Sequence, residues 1–145
     1  IGGASASTAG GIKVNTFAII LTTLFATLKG RGQTSAFGRE IPSDQVYRAL
    51  LIGALASAFV FVVAFFLAFA EPEIPFEQLL FESVSAFGTV GMTSGKTALL
   101  SNSSQLILIV TMFIGRIGPL SLVLLMAIRE KRDGYRYAQE RVTIG

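Results

Sequence analysis

The chain has 145 residues, 52% of them hydrophobic and only 14% charged, with a mean hydropathy of +0.65. That balance lies outside the soluble globular class. Cysteine and histidine are both absent, which excludes disulfides and thiolate metal sites and removes the usual general base. The net charge of +3 comes from basic residues grouped beside apolar runs, where they report membrane orientation more simply than nucleic-acid binding.

In chain order, Ile1 opens a tract of small residues, Gly2, Gly3, Ala4, Ser5, Ala6, Ser7, Thr8, Ala9, Gly10 and Gly11, closed by Lys13. This opening reads as that of a C-terminal fragment of a longer protein. By composition the tract suits a flexible linker. An apolar segment follows it directly, which better fits a break within a membrane helix, where small residues form a movable constriction or coordinate an ion. Val14–Leu28 would make roughly 22 Å of helix, a half-span against a hydrocarbon core of roughly 30 Å. Residues 29–48 form a polar connection carrying Lys29, Arg31, Arg39 and Arg48 against Glu40 and Asp44. Pro42-Ser43-Asp44 marks a helix start, with Ser43 or Asp44 expected as the N-cap. Residues 49–70 are charge-free and long enough to span, and Glu71-Pro72 ends the run.

Residues 71–105 carry Glu71, Glu73, Glu77 and Glu82 with Lys96 as their single basic residue. Within them, residues 75–87 are too short to span and too apolar for an ordinary loop. Pro75 suits a first helical turn, and Phe76, Leu79, Leu80, Val84 and Phe87 recur at helical spacing. Alone, the segment fits an interfacial helix ending in a glycine turn. Between two spanning runs it fits a re-entrant helix whose C-terminal end directs partial negative charge into the membrane. Gly88, Thr89, Val90, Gly91 and Met92 follow, and Thr89, Val90 and Gly91 would offer backbone carbonyls to a dehydrated potassium ion. Span, half-helix, Thr-Val-Gly turn and span together have the layout of a potassium-channel pore unit. The stretch from Gly91 to Thr97 fails as a phosphate-binding loop, because its glycine spacing is one residue short and no strand precedes it.

The second long apolar run covers residues 106–128 and is broken by Arg116. A charge near the midplane costs at least about 2.5–3.5 kcal/mol on insertion scales, so a functional role is the default. Arg116 could set an electrostatic barrier, tie two elements together through carbonyls, or form a buried structural ion pair. Gly115, Gly118 and Pro119 around it permit a kink. The tail carries Arg129, Lys131, Arg132, Arg136 and Arg141. By the positive-inside rule, residues 29–48 and the tail lie in the cytoplasm and the acidic segment faces out.

Four stretches carry a resemblance: residues 1–13, Ser85 to Gly91, Met112 to Leu120, and Tyr135-Arg136-Tyr137. Through them the chain resembles the C-terminal part of the Trk/Ktr/HKT superfamily of potassium transporters, closest to the bacterial Ktr membrane subunit. Ala138 departs from the resemblance, standing where the tail motif carries proline. The resemblance implies an all-α membrane protein with a helix–pore-helix–helix repeat, preceded by an intramembrane loop and half-helix of the previous repeat. Residues 1–48 would end the third repeat, with a gate loop at 1–13, a half-helix at 14–28 and a cytoplasmic connection at 29–48. Residues 49–128 would be the fourth repeat, with helix 49–70, pore helix 75–87, filter 88–93 and helix 105–128; residues 129–145 would be the cytoplasmic tail. Gly91 would be the filter glycine, and Arg116 would face the gate loop. The resemblance further implies potassium uptake across a bacterial plasma membrane, stimulation by sodium, a homodimer, and a cytosolic ring of nucleotide-binding regulatory subunits.

A secondary transporter whose broken helices bind another substrate at the bilayer midplane is the alternative. A membrane anchor or scaffold would leave Arg116 and the filter turn without use. No nucleophile–base pair points to an enzyme.

Overall fold

The computed structural model describes residues 2–3, 9–30, 35–36, 39–95 and 97–118. Gate-tract residues 4–8, Lys96, the expected second span beyond 118, and the tail with Tyr135-Arg136-Tyr137 lie outside the described residues. Four helices dominate: α1 (Val14–Leu28), α2 (Ser43–Ala70), α3 (Phe76–Gly88) and α4 (Asn102–Ile117). One minimal antiparallel pair, β1 (Ser35–Ala36) with β2 (Arg39–Glu40), interrupts the polar connection between α1 and α2.

On α1, Thr22 and Thr27 donate their hydroxyls to the carbonyls of Ala18 and Thr23 one turn back, at 2.7 and 2.9 Å. Back-bonding of this kind lets a hydroxyl sit on an apolar helix without an orphan donor. The helix α2 begins within the connection that the charges of Asp44 and Arg48 mark as polar. Neither Ser43 nor Asp44 caps it. Pro42 is the N-cap, with φ −55° and ψ 138°, and no side chain bonds there. Its carbonyl instead accepts from the N–H groups of Gln45 and Val46 at 3.0 and 3.3 Å, which leaves Asp44 in the first turn, where the helix dipole favours an anion.

Over its most apolar stretch α2 reaches a mean hydropathy of 2.8, and its 28 residues are enough to cross a membrane. Ala49, Ile52, Ala56, Val60, Val63 and Leu67 recur at spacings of three and four and form its buried stripe. The opposite face is apolar too: Phe61, Phe65, Phe66 and Phe69 are all exposed, Phe69 at 85%. A helix apolar on every side belongs in lipid or in a larger membrane assembly.

The short helix α3 packs against both α2 and α4. Val63 and Leu67 of α2, Leu79 and Ala86 of α3, and Leu108 of α4 form one core with Leu100. A second cluster joins Ala56, Val60 and Phe87, with Phe59 tilted against the Phe87 ring at a centroid distance of 5.8 Å. The face of α3 that faces its neighbours is not the apolar stripe that spacing suggests. Leu79 and Phe87 are buried, but Phe76 and Val84 are exposed, and Glu82, Ser83 and Ser85 are buried in their stead.

The far ends of α2 and α4 are tied by one carboxylate. Glu71, just past α2, accepts from the Ser101 N–H and the Ser104 hydroxyl, each at 2.8 Å, at the start of α4. Ser101 is itself the N-cap of α4 and accepts from the Ser104 N–H. Hydrogen bonding from Ser101, by side chain and backbone, and from Ser104 holds the Glu71 carboxyl below its ordinary value. A carboxylate lowered in the folded state stabilises it above the unfolded value, and that contribution is lost as pH falls through the folded one. Lowering the pH from about 7 to about 3, below the ordinary carboxylate range, therefore weakens this tie. We expect the thermal midpoint in detergent to fall less steeply with acid in Glu71→Gln than in wild type. Parallel curves would show that Glu71 contributes nothing to the junction.

Candidate functional site

The chain leaves α3 through a non-helical turn. Thr89, the C-cap, adopts a left-handed conformation at φ 51°, and its N–H donates to the Ala86 carbonyl at 3.0 Å. The Val90 N–H donates to the Ser85 carbonyl, also at 3.0 Å. Positive φ is uncommon for any residue with a Cβ and a true outlier for a β-branched one. Here the tertiary contacts hold it: the Thr89 hydroxyl oxygen accepts from the Gly10 N–H at 2.9 Å. Beyond it, Val90, Gly91 and Met92 are exposed, and Gly91 takes a positive φ of 79°. Gly88, the first expected filter residue, is the last residue of α3.

Three glycines converge on the end of α3. A Cβ built on Gly10 would lie 2.9 Å from the Phe87 carbonyl oxygen and 2.9 Å from the Thr89 methyl carbon. Gly11, at φ +76°, brings its backbone against Gly88, where a Cβ would lie 3.2 Å from that residue's Cα. Gly115 of α4 approaches most closely: its Cβ would sit 2.0 Å from the Phe87 carbonyl oxygen. The Gly11 N–H donates to the Gly115 carbonyl at 3.1 Å, which closes the ring between tract, α3 and α4. Within the break expected at residues 1–13, Gly10 and Gly11 serve close backbone approach, since neither carries a Cβ.

The described parts of the tract fold back on themselves. The Gly2 N–H donates to the Ile12 carbonyl at 2.7 Å, and the Val14 N–H to the Gly3 carbonyl at 3.3 Å. The Lys13 ammonium donates to the Ala9 carbonyl. Arg116 is exposed in the last turn of α4, where the helix dipole favours a cation. The described helix stops at Ile117, and the rest of the helix expected over 105–128, beyond residue 118, lies outside the described residues. Gly118 supplies the C-cap at φ 84° and ψ 139°, and Pro119, which follows, has no N–H to continue a helical ladder.

Two side chains that the sequence reading did not single out stand behind the turn. Ser85 donates to the Met92 carbonyl at 2.5 Å. The Glu82 carboxylate, 4% exposed, accepts from Thr93, Ser94 and Thr97. The available signal was a carboxylate midway along a half-apolar helix, followed by hydroxyls at 93, 94 and 97. Among the described residues no group of histidine, cysteine, aspartate or glutamate is arranged to hold a metal ion.

Among the described residues one helix is long and apolar enough to cross a bilayer, which fits a membrane protein, and residues 1–136 match the TrkH family of cation transport proteins. The chain belongs to this family. Over its whole length it is 43% identical to Ktr system potassium uptake protein B of Bacillus subtilis, covering 32% of that protein. It is 38% identical to the protein of the same name from Vibrio alginolyticus, covering 31% of it. It is also 38% identical to potassium/sodium uptake protein NtpJ of Enterococcus hirae, covering 33%. The chain thus spans about a third of the length of these relatives, all of them transport proteins rather than enzymes by name.

Proposed function

We propose that the chain supplies one quarter of a potassium-selective path, with residues 88–93 as a filter segment and residues 1–13 with Arg116 as its gate. The observation that carries this reading is the convergence of Gly10, Gly11 and Gly115 on the Phe87–Thr89 turn. Gly10 and Gly11, packed directly against a turn of exposed backbone, put the end of the small-residue tract where it can obstruct or open a path through that turn. The C-terminal end of α3 presents partial negative charge at the same point, which favours a cation. Exposed backbone at membrane depth is tolerated where it lines a water-filled path, and carbonyls of Thr89, Val90 and Gly91 are the ligands suited to potassium. The names of the relatives support potassium as the transported ion.

In this reading residues 49–128 form a complete helix–pore-helix–helix repeat, with α3 as the pore helix, and residues 1–48 end the repeat before it. The basic connection and the C-terminus lie on the cytoplasmic side of a bacterial plasma membrane. The complete protein works as a homodimer on a cytosolic nucleotide-binding ring, with sodium as an activator of uptake; the family resemblance supports these assignments.

The gate role is tested at Arg116. A cation beside a cation path raises the barrier to entry, so Arg116→Ala in the complete protein carrying this sequence is expected to raise potassium uptake several-fold. Clearly reduced uptake at normal membrane abundance would reject the barrier role.

A further inference from the structure

Glu82 is charged, almost fully buried, and lies midway along a short helix read as membrane-embedded. Such a group persists only where its charge is answered. Among the described residues, the donors that answer it all come from one stretch. Its Oε1 accepts from the Thr93 hydroxyl at 2.6 Å, the Ser94 N–H at 2.8 Å and the Ser94 hydroxyl at 3.0 Å. Its Oε2 accepts from the Thr97 hydroxyl at 2.8 Å. The Ser94 N–H can only donate, and an ionised carboxylate can only accept; the Thr93 and Thr97 hydroxyls also lie 2.6 Å from each other, so the two share their hydrogens with the carboxylate in one network. The Thr93 oxygen also accepts from the Gly95 N–H at 3.0 Å, which tightens the same loop.

The stretch so gripped is the continuation of the Thr-Val-Gly turn. Three residues further along α3, on the same side of the helix, Ser85 holds the Met92 carbonyl. The turn is therefore anchored at its start by backbone bonds to the end of α3, and at its finish by two α3 side chains. Between those anchors Val90, Gly91 and Met92 are exposed, and a Cβ on Gly91 would meet nothing within 4 Å. Nothing else among the described residues holds their carbonyls in place.

We propose that Glu82 is a positioning residue for ion selectivity: by fixing Thr93, Ser94 and Thr97 behind the turn, it sets the directions of the carbonyls at 89–92. This rests on the reading of residues 88–93 as a filter. Glu82 acts on the path through these donors, as a positioning group for the turn and not as an ion ligand. Charge-assisted hydrogen bonds are the strong ones, so an uncharged amide of the same shape loosens the grip while filling the same space.

The test compares potassium-over-sodium selectivity and membrane abundance for Glu82→Gln, Thr97→Val, Thr97→Ser and Gly91→Ser in the complete protein carrying this sequence. Glu82→Gln is expected to lower the selectivity ratio by roughly tenfold, the size of one lost hydrogen bond to a charged group. Thr97→Val lowers it less, and Thr97→Ser, which keeps the hydroxyl, retains wild-type selectivity. Combining Glu82→Gln with Thr97→Val adds little to Glu82→Gln alone, because both act through one contact. A purely structural Glu82 would reduce abundance and leave the ratio unmoved. If Glu82→Gln does not reach the membrane, the Thr97 pair carries the test. Unchanged selectivity in Glu82→Gln and Thr97→Val, beside a clear loss in Gly91→Ser, overturns the proposal and leaves the filter reading standing. Unchanged selectivity in Gly91→Ser as well overturns both.

Discussion

Replacing Gly91 by serine is expected to cut potassium-over-sodium preference about tenfold, while the protein still reaches the membrane in normal amount. Space is not the obstacle, since a Cβ at Gly91 meets nothing within 4 Å. Conformation is. Gly91 sits at φ 79°, and an L-residue held in left-handed backbone costs about 1–2 kcal/mol. An exposed turn relieves that cost by rotating its peptide planes, which redirects the carbonyls that replace an ion's hydration shell. A shift of 1.4 kcal/mol in the relative stability of two bound ions is tenfold in their ratio. Competition between potassium and sodium during uptake measures it. A wild-type ratio at normal transport would remove Gly91 from the selectivity path.

The second large effect is expected at Gly115. Alanine there would put its methyl carbon 2.0 Å from the Phe87 carbonyl oxygen, 2.9 Å from the Phe87 carbonyl carbon and 3.1 Å from its Cα. Overpacking a core with a side chain costs about 1–3 kcal/mol when neighbours can repack. Here the neighbour is backbone at the end of α3 and has no rotamer to change. We expect Gly115→Ala to separate α4 from α3, break the Gly11 N–H bond to Gly115, and lose most membrane-assembled protein. Gly53→Ala is the matched control. Its Cβ would lie 2.9 Å from the Cδ1 atom of Ile20, the far end of a flexible side chain, so its thermal midpoint in detergent should move little. Equal midpoints for the two variants would contradict the close approach at Phe87.

The parts of this site differ in how legible they were in the sequence, and each difference has a physical source. The half-length α3 was readable, because Pro75 and a short apolar run between longer ones are local signals. The start of α2 was readable at Pro42-Ser43-Asp44, but the cap was not: Pro42 takes that place without a side-chain bond, and Asp44 falls in the first turn. The end of α4 was half visible: Gly118-Pro119 suggested a kink, and the backbone at Gly118 ends the described helix outright. Arg116 stood out as a charge beside glycines, and it lies exposed in the last turn of α4.

The contacts among Gly10, Gly11, Phe87, Thr89 and Gly115 join residues far apart along the chain, and periodicity carries no information about such meetings. Glycine composition marked the tract as special without naming what it touches. Glu82 was the clearest omission. Grouped with Glu71, Glu73 and Glu77, it read as part of an acidic outer segment, but it is buried and fully engaged. Its helical position, three residues before Ser85, was the clue: both side chains reach the stretch that follows the turn.

The most direct test of a potassium-selective path is uptake by the complete protein carrying this sequence, in cells stripped of their own potassium importers. Growth and potassium accumulation would be followed at low external potassium with sodium in excess. Rescue is expected, with potassium taken up in clear preference to sodium. Protein present in the membrane at normal abundance that restores no potassium uptake, or admits both ions equally, would contradict it.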